Sequence, residues 1–344
     1  MSLPPLSYDP REGRDAKSAP SIEWIPTLGC WCAFDTGAIT AILKSKDFVA
    51  PNFAEWHQTL GRMGIDCSSV IEILDYLAIA NEGRRHAEIR KYPGQGDCDA
   101  CGFDQGGGRQ QAHRACVSAL SRRRQRGPGA RYHSSGLRPA VEALVGMPVP
   151  SDDGISSSQL VDLYLSLTRR KKVVSLAGAM LKTYTEARDS LNTSPGYATS
   201  LRMRGYDSIA GSLASSTLHE LKQAAGERLS DIAFSRNLPK TGVPYIERFA
   251  SADYLLGDAA IQQGDRIRLY LDPGAQHNHA NKGECYFGRG RHSCLGEDMS
   301  NWLWRAMTDA LGQVRLRCDI ESATRRKPDW VFIYYSSIVV RFHA

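Results

Sequence analysis

The sequence predicts a mainly α-helical chain with small β-sheets, and three observations carry that prediction. Apolar residues recur at helical spacing in several separate stretches. Strand-like pieces are short and gather beyond Gly226. No run approaches the roughly 18 uninterrupted apolar residues that a membrane-crossing helix needs. At 344 residues the chain is long enough for one large domain or two modest ones.

Residues 1–20 are polar and proline-rich, without an apolar signal core, and read as a flexible lead. Helical periodicity follows in "FAEWHQTLGRMG" and over Ser68 to Lys91, where Val70, Ile73, Leu74 and Leu77 share a face. It returns in "LRPAVEALV" and "SSSQLVDLYLSLTRRKKVVSLAGAMLKTYTEAR". A long central helix is predicted over residues 198–226, with Leu201, Ile209, Leu213, Leu218 and Leu221 in phase and Gly226 as its stop. Short strands are expected in "DYLLG", "AIQQGDRIRLYLD" and "VRLRCDI", and "WVFIYYSSIVVRFH" reads as two strands around a Ser-Ser turn.

The net charge of +6 would suit a nucleic-acid partner if it were spread over a surface. It is not. Residues 105–138 hold eight arginines and no acid, so the rest of the chain carries 6 − 8 = −2. The nine cysteines show no framework spacing, which predicts reduced thiols or a metal role, and the polar start without a signal core predicts a cytoplasmic location.

From Lys91 to Gly136 the only Val, Ile, Leu or Met residues are Val117 and Leu120. Such a stretch buries too little apolar surface to offset its ordering entropy. It contains Cys98, Cys101, His113 and Cys116, a set zinc could use, and "SRRRQRG", which could contact phosphates. A zinc- or nucleic-acid-binding insertion is therefore one reading. The composition also matches GC-rich coding DNA translated out of frame, so a compensated frameshift over 91–136 is another.

The densest chemistry lies in "YFGRGRHSCLGEDMSNWLW", Tyr286 to Trp304. Leu295, Met299, Leu303, Ala306, Ala310 and Val314 predict a helix that begins just after Cys294. A sulfur at that position meets unpaired N–H groups and the positive end of the helix dipole, which favours thiolate. Gly288 and Gly290 let the loop turn tightly, and Gly296 leaves room for a flat group beside the sulfur. Such a thiolate suits the axial position of a haem iron. A buried structural cysteine is the alternative.

Phe287, Gly288, Gly290, His292, Cys294, Leu295 and Gly296 match, position by position, the haem-binding loop of the cytochromes P-450, the haem-thiolate monooxygenases. The chain thus resembles the soluble bacterial members of that family. The resemblance spans most of residues 22–90 and 137–344 and is densest over 201–304. It implies a single haem domain over residues 1–344, haem b with an axial thiolate from Cys294, and hydroxylation of a small organic molecule with O2. In "RGYDSIAG" it implies that Gly205 makes room for dioxygen while Asp207 and Ser208 relay protons. The position before that glycine, small in the family, is Arg204.

His86 and Arg90, four apart in "HAEIR", resemble the family's propionate-binding helix, and Arg248 and His292 match two further propionate contacts. "IAFSRNLPKTGVPYIERFA" resembles the stretch from a Glu-x-x-Arg helix to the propionate arginine, with Arg236 in register. Ala233 stands where the family has glutamate, leaving Arg236 in need of another acceptor. A degenerate relative that binds haem weakly, or lacks oxygenase activity, is the rival reading. Electrons are expected from a separate ferredoxin-type donor and its reductase, docking on Lys282, Arg289 and Arg291.

Overall fold

The computed structural model describes residues 9–10, 20–51, 53–66, 68–75, 78–91, 130–132, 206–272, 285–325 and 335–343. The strands are β1 (Ile22–Ile25), β2 (Cys30–Ala33), β3 (Phe48–Val49), β4 (Ala130–Tyr132), β5 (Tyr245–Ala250), β6 (Tyr254–Leu256), β7 (Ala259–Ile261), β8 (Arg266–Tyr270), β9 (Arg317–Arg325) and β10 (Tyr335–His343). The helices are α1 (Thr36–Lys44), α2 (Phe53–Arg62), α3 (Ser68–Asp75), α4 (Gly83–Lys91), α5 (Tyr206–Gln223) and α6 (Glu297–Gly312). Helices with small sheets are what the periodicity predicts. The helices expected within 137–145 and 157–188, the zinc-ligand set, and nearly all of the lead lie outside the described residues.

The largest sheet has the order β1-β2-β8-β5-β3, with only β2 and β8 running parallel. Gly29, at φ 57°, closes the β1–β2 turn by donating to Ile25 O at 2.9 Å. Side chains alternate across the sheet. Ala33, Ile267, Leu269 and Ala250 face α1, whose Ile39 and Ile42 are fully buried against them. Each such isoleucine contributes about 1.5–3 kcal/mol. Asp35 starts α1 by accepting the Gly37 and Ala38 N–H groups at 2.7 and 3.0 Å. On the other face lie Cys30, Cys32, Phe34, Tyr245 and Tyr270.

That second face also buries an ion pair. Glu247 stands opposite Arg268 in the β5–β8 register, and one carboxylate oxygen accepts from Nε and Nη2 at 3.1 and 2.9 Å. The guanidinium lies 4.0 Å from the centre of the Tyr245 ring. Removing either partner would strand a charge in the sheet, at a cost of about 3–5 kcal/mol.

Three expectations are corrected. The single period over Ser68–Lys91 is broken into α3, a short 3-10 turn at Ala78–Ala80, and α4. Asn81 Nδ2 donates to the carbonyls of Leu74 and Asp75 at 3.1 and 3.2 Å, and Gly83 adopts φ 57°. A side chain thus satisfies the end of α3 while glycine reverses the chain.

The Glu-x-x-Arg helix is also absent. Only a 3-10 turn at Leu229–Asp231 forms, and residues 232–244 contain no helix. Ser212, Ser216 and Glu220, spaced by four on α5, face this extended chain. Gly242 N–H donates to Ser212 Oγ at 2.7 Å, Lys240 N–H to Ser216 Oγ at 3.2 Å, and Ser235 N–H to Glu220 Oε1 at 3.3 Å. From α6, Trp304 Nε1 donates to Ser235 O at 2.7 Å and Asn301 Oδ1 accepts Leu238 N–H at 3.1 Å. Ala233 and Arg236 are exposed, so solvent satisfies the arginine that sequence reasoning left without an acceptor.

Finally, the Ser-Ser turn does not form. β10 runs through Ser336 and Ser337, pairs with both β9 and β4, and absorbs the irregularity as a register shift. β4 lies inside the glycine- and arginine-rich stretch, since ladder pairing needs backbone groups rather than apolar side chains.

The approach of residues 235–242 to α5 depends on Gly242. A Cβ there would lie 2.5 Å from Ser212 N and 2.6 Å from Gly211 C, both backbone atoms. The substitution Gly242→Ala should therefore lower stability by about 1–3 kcal/mol, read as a fall in the urea midpoint. An unchanged midpoint would show that this contact does not hold α5 to the sheet.

Candidate functional site

The cysteine loop spans Cys285 to Gly296, between the described part of β8's continuation and α6. It closes on itself. Gly288 N–H donates to Cys285 O at 2.9 Å, Ser293 N–H to Gly290 O at 3.2 Å, and Cys294 N–H to Phe287 O at 2.7 Å. Gly288 and Gly290 take φ values of 69° and 68°. A Cβ on Gly290 would sit 2.6 Å from Leu43 O, so glycine also lets the loop rest on the C-terminal end of α1. The tight loop and the helix after it are as the residues predict.

Cys294 lies three residues before Glu297, the first residue of α6, and Gly296 N–H donates to its Sγ at 3.3 Å. The thiol is nevertheless pushed above its ordinary pKa. Burial is the main cause, Glu297 adds to it, and the Gly296 N–H and Arg90 only partly offset them. Desolvation of the charged form outweighs the one N–H and the helix end that favour thiolate. Yet Cys294 is exposed, as is Leu295 at 49%. A Cβ on Gly296 would stand 3.7 Å from this sulfur, inside the room that glycine leaves.

α4 lies against the loop. The His86 and His292 rings are in contact, with centroids 4.3 Å apart and planes inclined at 53°. Arg90 Nη1 donates to Ser293 O at 2.7 Å. Glu82, the residue before α4, contacts His292 Nε2 at 3.0 Å and Arg291 Nε at 3.1 Å, and accepts Ala50 N–H at 2.6 Å. Burial raises the Glu82 carboxyl, but His292, the Ala50 N–H and Arg291 together hold it below its ordinary value. His86 is pushed down to about 4, first by burial and then by the charges of His292 and Arg90. Two buried ring nitrogens, His86 Nε2 and His292 Nδ1, have no hydrogen-bond partner among the described residues. Buried polar atoms are costly when unpaired, so this pair is suited to a hydrogen-bonding ligand that enters beside the sulfur.

The remaining candidates divide. Arg248 is buried on β5 and alternates with Glu247, so it belongs to the α1 face of the sheet. Its Nη1 donates to the Glu247 carbonyl at 2.7 Å. Ser208 is half-buried in α5, and its carbonyl accepts Ser212 Oγ at 2.7 Å. Gly205, Arg204, Lys282 and the side chain of Asp207 lie outside the described residues. Arg291 is held by Glu82 and donates to Phe48 O at 2.7 Å, and Arg289 is half-buried. The docking patch expected of these arginines is thus partly neutralised and partly enclosed. Among the described residues no group of three His, Cys, Asp or Glu side chains could hold a metal ion, and no helix is long and apolar enough to cross a membrane.

Sequence reasoning missed Glu82 in this site. Its signal was present: Glu82, His86 and Arg90 form one series at four-residue spacing. The four-residue rule was applied forward from His86 and not backward.

The depressed His86 pKa has a consequence for stability. As pH falls below 6.5, the ordinary value, unfolded His86 takes a proton that the folded site refuses until about 4. Folding stability should therefore decline through that window. Between pH 7 and pH 5 the contribution is at most about 2 kcal/mol. Urea unfolding at both pH values should show a smaller loss for His86→Gln than for the wild type, and equal losses would refute the burial of a neutral His86.

In sequence, the chain matches no family model and no curated protein. In structure it is similar to cytochromes P450. A thermophilic cytochrome P450 from Sulfolobus tokodaii superposes with a TM-score of 0.65 at 17% identity, covering 95% of this chain and 98% of that one. Epothilone B-bound P450epoK superposes with a TM-score of 0.69 at 14% identity, covering 98% and 99%. P450BioI, solved in complex with a fatty-acid-ligated acyl carrier protein, superposes with a TM-score of 0.66 at 15% identity, covering 94% of each chain.

Proposed function

We propose that this chain, which has the cytochrome P450 fold of those structures, is a haem-thiolate monooxygenase that oxidises a small organic molecule. The observation that carries the reading is the surroundings of Cys294. An accessible sulfur stands at a helix start, beside a glycine, near two buried histidine nitrogens that lack partners.

In this reading Cys294 would hold the iron of haem b through its sulfur. His86, His292 and Arg248 hold the propionates, with Arg90 tying α4 to the loop through Ser293 O. Phe287, Gly288 and Gly296 shape the loop around the sulfur. The bound haem supplies oxygen activation, which the thiolate assists by donating electron density. Asp207 and Ser208, in the first described turn of α5, move protons to the reacting oxygen, and Gly205 keeps space there. Electrons come from a separate ferredoxin-type donor and its reductase. The exposed position of Arg236 and the side-chain clamps on residues 235–242 support retention of haem without a Glu-x-x-Arg pair.

The test is the carbon monoxide difference spectrum of the purified, dithionite-reduced protein. A strongly red-shifted Soret band is expected, and Cys294→Ala should abolish it. Haem bound without that shift would favour a relative lacking oxygenase activity, and no haem at all would overturn the reading. In the haem-loaded protein, Asp207→Asn should slow turnover by about 10²-fold or more while leaving haem content unchanged. Equal turnover would remove Asp207 from the proton route.

A further inference from the structure

Three side chains at four-residue spacing meet three consecutive residues of the cysteine loop. Glu82 bonds Arg291 and His292, the His86 ring lies against that of His292, and Arg90 bonds the Ser293 carbonyl. Glu82 differs from the other two because it reaches a third segment. Its Oε1 accepts the Ala50 N–H at 2.6 Å and bonds His292 at 3.0 Å, while Oε2 takes Arg291 at 3.1 Å. One half-buried carboxylate therefore joins the chain after β3, the start of α4 and the loop that carries Cys294. It also supplies negative charge near Arg90 and Arg291, two cations that would otherwise repel one another.

We propose that Glu82 is a positioning residue for the haem-thiolate site, holding the loop 291–293 against α4 and thereby fixing the chain that leads into Cys294 and the orientation of the His292 ring. The proposal rests on the haem reading of this site for its function, but the clasp itself is a property of the polypeptide. The bonds leave little freedom. His292 is fixed at Nε2 by Glu82, which orients its ring so that Nδ1 is the atom left for a ligand. Arg291 is fixed at Nε by Glu82 and at Nη2 by Phe48 O. With Arg291 and His292 held, and Cys294 N–H bonded to Phe287 O, the chain is restrained on the side that leads into the sulfur. Hydrogen bonds to charged partners are among the stronger ones in proteins, so a single carboxylate suffices for this task.

The experiment compares wild type, Glu82→Ala, Glu82→Gln, Glu82→Asp and Glu88→Ala, the last removing an exposed α4 acid paired with Arg84 and Arg85. Hydrogen exchange is followed in the full chain prepared without added haem. Amides of residues 286–296 should exchange about tenfold faster or more in Glu82→Ala, with α6 and the large sheet unchanged. Glu82→Asp should recover part of the protection, and Glu88→Ala should match wild type. After haem loading, Glu82→Ala and Glu82→Gln should show a larger fraction of the unshifted carbon monoxide band at equal haem content. Unchanged loop exchange in Glu82→Ala overturns the proposal, as does acceleration spread evenly over the chain. If wild type takes up no haem, the oxygenase reading fails, while the exchange data still decide the role of Glu82.

Discussion

Irregular backbone can be enclosed by protein only where its N–H and C=O groups find partners, and this constraint governs the fold around the site. Two irregular stretches lie there: residues 235–242, between α5 and α6, and the loop before α6. The first is satisfied from outside by Ser212, Ser216, Glu220, Asn301 and Trp304. The second is satisfied from within by its own turns, and from outside by Arg90 on Ser293 O. Tyr286 ties the two together by donating its hydroxyl to Pro239 O at 2.9 Å. In both cases a helix presents polar side chains every fourth residue, which is how a rigid rod can follow an extended strip of chain.

Electrostatics at the loop follows from the same enclosure. Burial works against every charge near the sulfur, raising the Cys294 thiol and depressing His86. His86 is therefore neutral at neutral pH, and a positive metal centre beside the sulfur would work against the effect of burial on the thiol. Glu82 keeps its charge because three donors surround it. The bases in contact with it are thereby held close together rather than driven apart, and the buried histidine edges stay directed inward.

How much of this was legible beforehand can be traced residue by residue. The helix after Cys294, the need for glycine at 288 and 290, and the pairing of His86 with Arg90 on one helix face all follow from local rules. They depend on spacing and φ, which a sequence expresses directly. α1 was missed although Asp35 is an ordinary helix cap. The 68–91 period was read as continuous because hydrophobic phase survives a short turn, and only Asn81 and Gly83 mark the break.

The amino-acid sequence alone determined the helical character of the chain, the tight glycine loop and the presentation of Cys294 ahead of a helix. Each of these is set by neighbours a few positions away. Only the tertiary structure decided what residues 232–244 would become, since their fate depends on α5 and α6 offering side-chain partners from 24 and 63 positions away. It alone decided the thiol's protonation, because desolvation is summed over all surrounding segments. It also brought Glu82 to His292 across 210 positions of chain, a contact no local pattern encodes.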